Sequence, residues 1–524
     1  MKQKSFVSGA VTLLVSGIIV KLLGALFKIP LTNLIGDSGM GLFSFAMQFF
    51  TLLFVITAAG LPIAVSHLVS ESIALDQRRQ AQGIAVYSGA LFGGIALILS
   101  GMLVFYARPI CLFLGERDAI WCVIAIAPAL FFVTVEAALR GWYQGTGNMM
   151  PTAVSQIAEA VGKLTVGLFL ARKMLDAGFG IRGAAVGAVL GVTCGELFAA
   201  TYLLWSARRS VGGAFQYRKE GKKAFPHLVQ LMIPVTLSAA VMTVSGFLDM
   251  AVIYRRLPDA GLSAAQIVAA YGAYTGMALT LFNLPQALSG AVSVSVLPAL
   301  SAACAKQNHA LCKRLVMSSM RLTLLVCIPC GAGLAALSQP LLQALFAAQP
   351  RGVAAAAPLL QLLGTAEPIV GLATVTTAVL QSFGRPDLTV YAAAVGCTAK
   401  FAVSYALMGD PAYQMRGAPI GTLVCYSLIF LLQLCFIAKL MHWMPPVFMA
   451  AIRPTAASVS MAAGAASTYP WLLQYLSQRT AIVLTVLLAI PVYTALMTVM
   501  HAWEAEDILP LPGGKKLARI LKIT

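Results

Sequence analysis

The chain has 524 residues, of which 59% are hydrophobic and 10% charged, with a net charge of +18. Soluble domains carry about 25% charged residues, so this composition excludes an assembly of soluble cores and requires hydrocarbon to solvate much of the surface. The positive balance does not point to nucleic acid, because basic loops flanking membrane spans account for much of it.

A spanning helix needs roughly 20 apolar residues. The sequence offers about 14 such segments: 6–29, 42–66, 83–107, 119–140, 151–172, 182–206, 226–250, 268–298, 314–337, 355–381, 388–408, 417–438, 447–465 and 480–502. Backbone polar groups in lipid must bond within their own segment, which predicts helices. The expected fold class is therefore all-α, a polytopic membrane protein. With the N-terminus inside, the inner connections carry 20 Lys and Arg and the outer ones 10. That bias predicts both termini in the cytoplasm. Trp121, Trp142, Trp205, Trp443, Trp471 and Trp503 fall at or near segment ends, as an interfacial belt. The ten cysteines sit mostly inside apolar segments and show neither a disulfide framework nor zinc spacing. Cys327 and Cys330 form a CIPC run, but inside a span, where redox chemistry is not expected.

The N-terminus begins like a signal peptide. Lys21 interrupts it and no clear small-residue cleavage site follows, so it reads as a retained first span. That span carries Lys21, Gly24 and Lys28, spaced to share one helix face. Lys21 lies about 22 Å along the helix from Phe6, and a charge near the bilayer centre costs about 3 kcal/mol. Snorkelling to the headgroups is the plain alternative. Residues 28–43 form a turn, with Pro30 and Gly36 expected to break the helix. The fourth span holds Pro128 and Glu136 and ends at Arg140. A Gly-rich turn follows, and Pro151 opens the fifth span, where Glu159 and Lys163 form an i,i+4 pair. Glu196, in the sixth, is a candidate partner across helices. A basic block, 208–225, falls where a linker between halves would lie. Asp249 ends the seventh span, Pro285 and Pro298 interrupt the eighth, and Glu367 with Pro368 lies mid-span in the tenth. Lys400, in the eleventh, has Gly396 where an acidic partner would stand. The tail ends in a short basic run, GGKKLARILKIT.

The stretch LRGWYQGTGNMMPTAVSQIAEAVGKL, 139–164, recurs in plan as LQSFGRPDLTVYAAAVGCTAKF, 380–401. Gln144 matches Gln381, Gly147 matches Gly384 and Lys163 matches Lys400, each 237 residues on. A turn, a helix start and a buried cation repeating in step predict two related halves, a common plan of transporters.

Residues 28–43, AAGLPIAVSHLVSE (58–71), the 139–164 motif and NLPQALSGAVSVSVLPALS (283–301) together resemble the stage V sporulation protein B group of polysaccharide transporters. That group belongs to the multidrug/oligosaccharidyl-lipid/polysaccharide exporter superfamily. The resemblance implies two pseudo-symmetric six-helix lobes facing each other in a V, at 1–207 and 226–440, joined by 208–225. It also implies two extra helices and a basic cytoplasmic tail within 441–524, and alternating access without ATP hydrolysis. Its preferred substrate would be an undecaprenyl-pyrophosphate-linked saccharide such as lipid II.

The residues support that direction by themselves. No GxxxxGK[ST], HExxH or GxSxG run occurs, so ATP-driven transport by this chain, or an enzyme, is not expected, and no cofactor is. Intramembrane ionisable residues point to function. Lys21, Lys28, Lys163 and Lys400 form a cationic set suited to a pyrophosphate. Glu159, Glu196, Asp249 and Glu367 are candidate coupling or cavity acids, with sodium or a proton as the ion. The expected partners are a lipid-linked oligosaccharide and membrane lipids, and the expected location is the bacterial cytoplasmic membrane. A cation-coupled multidrug antiporter of the same superfamily is the alternative. A membrane glycosyltransferase or ligase would need a larger outer loop than any present here.

Overall fold

A computed structural model describes residues 2–208, 217–500 and 502. The basic tail, Trp503 and residues 209–216 of the 208–225 linker lie outside the described residues. Every regular element among the described residues is helical. The chain divides into two compact units, Met1–Gly276 and Met277–Thr524. The first holds α1 (Lys2–Phe54), α2 (Leu61–Ala74), α3 (Arg78–Leu114), α4 (Ile120–Gly145), α5 (Met150–Asp176), α6 (Gly180–Ala207), the short α7 (Arg218–Lys223), α8 (Phe225–Arg256) and α9 (Ala264–Gly272). The second holds α10 (Leu279–Ala305), α11 (His309–Ala336), α12 (Ser338–Leu345), α13 (Pro350–Ser382), α14 (Pro386–Met408), α15 (Gly417–Met441), α16 (Val447–Leu473) and α17 (Gln478–Val499).

Twelve helical stretches are long and apolar enough to cross a membrane, so this is a multi-pass membrane protein. The first of them, Val15–Ala74, has 60 residues. That is about 90 Å of helix, three times a bilayer's hydrocarbon core, so it contains two crossings. The break is at Gly36, whose φ of 73° and ψ of −178° are open only to glycine. With that division, and with α16 added, each of the 14 segments expected from the sequence coincides with a helix.

Several local expectations are corrected. The chain stays helical through Pro30. Thr32 Oγ1 donates to Lys28 O and Asn33 Nδ2 to Ile29 O, tying down the turn around the proline. The eighth span widens into a π-helical turn at Ala273–Ala278 and then remains helical across Pro285. Asp249 does not end its span, because α8 continues to Arg256. Trp142 is no belt residue. It is 6% exposed and packs into the first unit's core with Leu61, Val65 and Leu139, whereas Trp121 and Trp205 are exposed as a belt requires.

The repeat is visible in the backbone. In the turn after α4, the N–H groups of Thr146, Gly147 and Asn148 donate to the carbonyls of Trp142, Gln144 and Tyr143. After α13, Phe383, Gly384 and Arg385 donate to Val379, Gln381 and Leu380. Every pair is offset by 237 residues. Gly147 (φ 79°) and Gly384 (φ 72°) supply the left-handed residue that closes a helix in this way. The register persists beyond the turn: α6 begins at Gly180 and α15 at Gly417, again 237 apart.

Packing in the first unit depends on small residues. Without water between helices, close backbone approach is what holds them together. Gly187, Gly191 and Gly195 line one face of α6 against α5. A Cβ added to Gly191 would sit 2.1 Å from Gly167 Cα, and one on Gly195 2.7 Å from Glu159 O. Thr193 Oγ1 and Tyr143 Oη then fasten α6 to α4, donating to Ala125 O and Ser206 Oγ at 2.7 Å each. The substitution Gly191→Ala is expected to destabilise the protein by about 1–3 kcal/mol, read as a lowered melting midpoint in detergent. Gly464→Ala, where an added Cβ meets no atom within 4 Å, should leave the midpoint nearly unchanged.

Candidate functional site

The tight α5–α6 contact brings three acids together. Glu136 on α4, Glu159 on α5 and Glu196 on α6 each place a carboxylate oxygen within 4.8 Å of the other two. Glu136 is fully buried and Glu196 is 2% exposed. Arg140, one turn beyond Glu136, lies among them. Its Nη2 is 2.6 Å from Glu136 Oε2 and 3.1 Å from Glu159 Oε2, and its Nε donates to Ser155 Oγ at 3.1 Å. Lys163 Nζ is 3.8 Å from Glu159 Oε1, a longer and weaker pair. The cluster thus counts three carboxylates and two cations. Glu196 Oε2 is buried and receives no hydrogen bond.

Of the residues singled out from the sequence, the structure joins Glu159, Lys163 and Glu196 in this cluster. Lys28 is half-buried on α1, its Nζ 3.5 Å from Thr275 O, and it lies within electrostatic reach of Lys163. α1 also meets α5 through Ser16 Oγ, which donates to Gln156 Oε1 at 3.1 Å. Lys21 is exposed on α1. Asp249 is half-buried on α8, within electrostatic reach of Tyr271 and apart from the cluster. The second unit holds the other two. Lys400 is half-buried on α14, its Cγ 3.3 Å from where a Gly421 Cβ would stand. Glu367 is fully buried on α13, against Gly331 of α11. Glu136 and Arg140 are the cluster members that were not assigned to the site from sequence. Their i,i+4 spacing, the same as that of Glu159 and Lys163, was the available signal.

The repeat supplies an internal comparison. Moving 237 residues on from Glu196, Arg140, Glu136 and Glu159 gives Gln433, Thr377, Ala373 and Gly396. Gln433 Nε2 donates to Thr377 Oγ1 at 2.9 Å, and Thr376 Oγ1 donates to Gln433 Oε1 at 2.5 Å. Buried helices at these positions are therefore joined by a neutral amide–hydroxyl network in the second unit. Packing does not require charge there, which sets the charged cluster of the first unit apart as a functional candidate.

The family described as "Polysaccharide biosynthesis protein" matches residues 6–303, and the MatE family matches residues 234–406. Among curated proteins, the chain is 26% identical to stage V sporulation protein B of Bacillus subtilis (strain 168), over 84% of this chain and 85% of the relative. It is 24% identical to the lipid II flippase MurJ of the same organism, over 80% of each. Among solved structures, an inward closed conformation of a lipid II flippase MurJ aligns with a TM-score of 0.73 at 16% identity, covering 93% of this chain and 98% of that one. The expected MATE-like, all-α membrane fold is thereby established.

Arg140 is the residue whose removal tests the cluster. Arg140→Leu leaves three carboxylates, two of them buried, facing Lys163 alone and is expected to destabilise the protein by about 3–5 kcal/mol. The double variant Arg140→Leu with Glu136→Leu should recover much of that loss in the same thermal-unfolding measurement. Equal midpoints for Arg140→Leu and wild type would mean that the ion pairs carry no weight.

Proposed function

Because the chain belongs to the polysaccharide biosynthesis protein family, we propose that it is a flippase for undecaprenyl-pyrophosphate-linked saccharides, lipid II or a related cell-wall or polysaccharide precursor. It carries them from the inner to the outer leaflet by alternating access, and acts as a transporter rather than an enzyme. The observation that carries this reading is the placement of two lysines inside apolar helices, Lys28 with its Nζ 3.5 Å from Thr275 O and Lys163 with its Nζ 3.8 Å from Glu159 Oε1. Lys163 is already compensated by Glu159, so the cost of a charge in hydrocarbon falls mainly on Lys28, and an anionic headgroup would offset it. Lysine is a common phosphate binder as a compact point charge. Lys21 and Lys400 complete the cationic set, one on each half of the chain. The lysine and arginine bias of the connections supports a bacterial cytoplasmic membrane location with both termini inside.

Glu159 and Glu196, joined by Glu136, are assigned the coupling ion. Arg140 already contacts two of the three carboxylates, which leaves fewer free oxygens for the shell of a sodium ion, so a proton is the better fit. Asp249 and Glu367 stay with the set as cavity acids. The match of the MatE family to residues 234–406 favours one second reading, a cation-coupled multidrug antiporter.

Both readings are tested with purified protein in liposomes carrying a fluorescent pyrophosphate-linked saccharide lipid. Lys28→Gln and Lys163→Gln should each slow lipid translocation roughly tenfold or more, the loss of one charged hydrogen bond, with Lys→Arg milder. Dye efflux without lipid movement would favour the antiporter, and unchanged translocation in both Gln variants would remove the cationic argument. An imposed pH gradient reads the coupling in the same liposomes. Wild-type translocation should respond to it, and Glu196→Gln should not; an intact response in Glu196→Gln would exclude the cluster as the proton site.

A further inference from the structure

Outside the charged cluster, the first unit carries an apolar groove of about 390 Å³ between α3, α4 and α6. Its floor is bare backbone at Gly89, Gly93 and Gly94, its walls include Phe131 and Leu204, and Arg208 lines one end. Along α3 it covers residues 85–94, about 14 Å of helix. Gly94 faces open space, since a Cβ built there meets no atom within 4 Å.

The groove has polarity. α3 begins, and α4 and α6 end, on the side where Arg208 stands. α7 is docked on that side too: a Cβ on Gly221 would lie 2.1 Å from Gly83 O, two residues before the groove starts. Arg78, Arg79, Lys219, Lys222 and Lys223 are exposed there, beside fewer acids, Asp76, Glu71 and Glu220. One end is therefore basic and solvated, and the other runs into the apolar span. That is the layout of an anionic lipid, headgroup at the basic rim and chain along the helices.

We propose that this groove is a binding site for one anionic membrane phospholipid, with an acyl chain lying on Gly89, Gly93 and Gly94 and its phosphate held by Arg208. The glycines leave room for the chain, and the guanidinium offers paired donors to phosphate oxygens. The site belongs to the first unit alone and does not depend on what the protein transports.

The test is native mass spectrometry of the full-length protein with phosphatidylglycerol and phosphatidylcholine of matched acyl chains. Wild type should retain one phosphatidylglycerol in preference to phosphatidylcholine. Arg208→Gln should weaken that preference about fivefold, the effect of one surface cation on an anionic lipid. Gly94→Leu puts a side chain into the groove from a position whose Cβ meets no atom within 4 Å, and should reduce retention of both lipids. Equal retention of the two lipids by wild type would overturn the proposal, as would unchanged preference in Arg208→Gln. A polyprenyl phosphate that displaces phosphatidylglycerol and is itself lost in Gly94→Leu would overturn the assignment to a phospholipid. Should Gly94→Leu lower the melting midpoint, Arg208→Gln decides alone.

Discussion

In hydrocarbon a charge persists only beside a countercharge. In the first unit that role falls to the Arg140 guanidinium, whose flat fork meets two carboxylates and a hydroxyl at once. The rest of the local structure serves this contact. Glu136 and Arg140 face the same way because they are one helical turn apart. Glu159 and Glu196 reach them because α5 and α6 touch backbone to backbone at Gly191 and Gly195. A bulkier α6 would hold Glu196 away from its neighbours. Packing by small residues and compensation of charge are thus one constraint in this unit.

Burial and charge do opposite things in the two halves. Around Arg140 the network is ionic, with three carboxylates to two cations. Around Gln433 it is neutral, and each polar group there has a partner of matching kind. A neutral network only fastens helices. An ionic one also depends on the charge state of its members, and Lys163 belongs to it through Glu159.

How far the fold was legible in sequence depends on the range of the interaction. Helices were legible because the apolar runs are long and lipid leaves no other backbone solution. The repeat was legible because Gln144, Gly147 and Lys163 recur in register at Gln381, Gly384 and Lys400, and the turns close with matching hydrogen bonds. Pro30 misled because side chains of the next turn secure the backbone around it. Trp142 misled because a position near a helix end does not say which side of the helix faces the core. The charged cluster was half legible. Glu159 and Lys163 announce themselves by spacing. Glu196 was legible only as a candidate partner across helices, and Glu136 and Arg140 only by their own i,i+4 spacing; the approach of α4, α5 and α6 that joins all of them is encoded by no local pattern.

The shared register of α4–α6 and α13–α15 bears on how such a chain can change over time. Two copies of one module, carried on a single polypeptide, are inherited together and need not stay alike. Each may lose what the other keeps. With Ala373, Thr377, Gly396 and Gln433 in one copy where the other has Glu136, Arg140, Glu159 and Glu196, the two have kept a common register while parting in charge at these four positions.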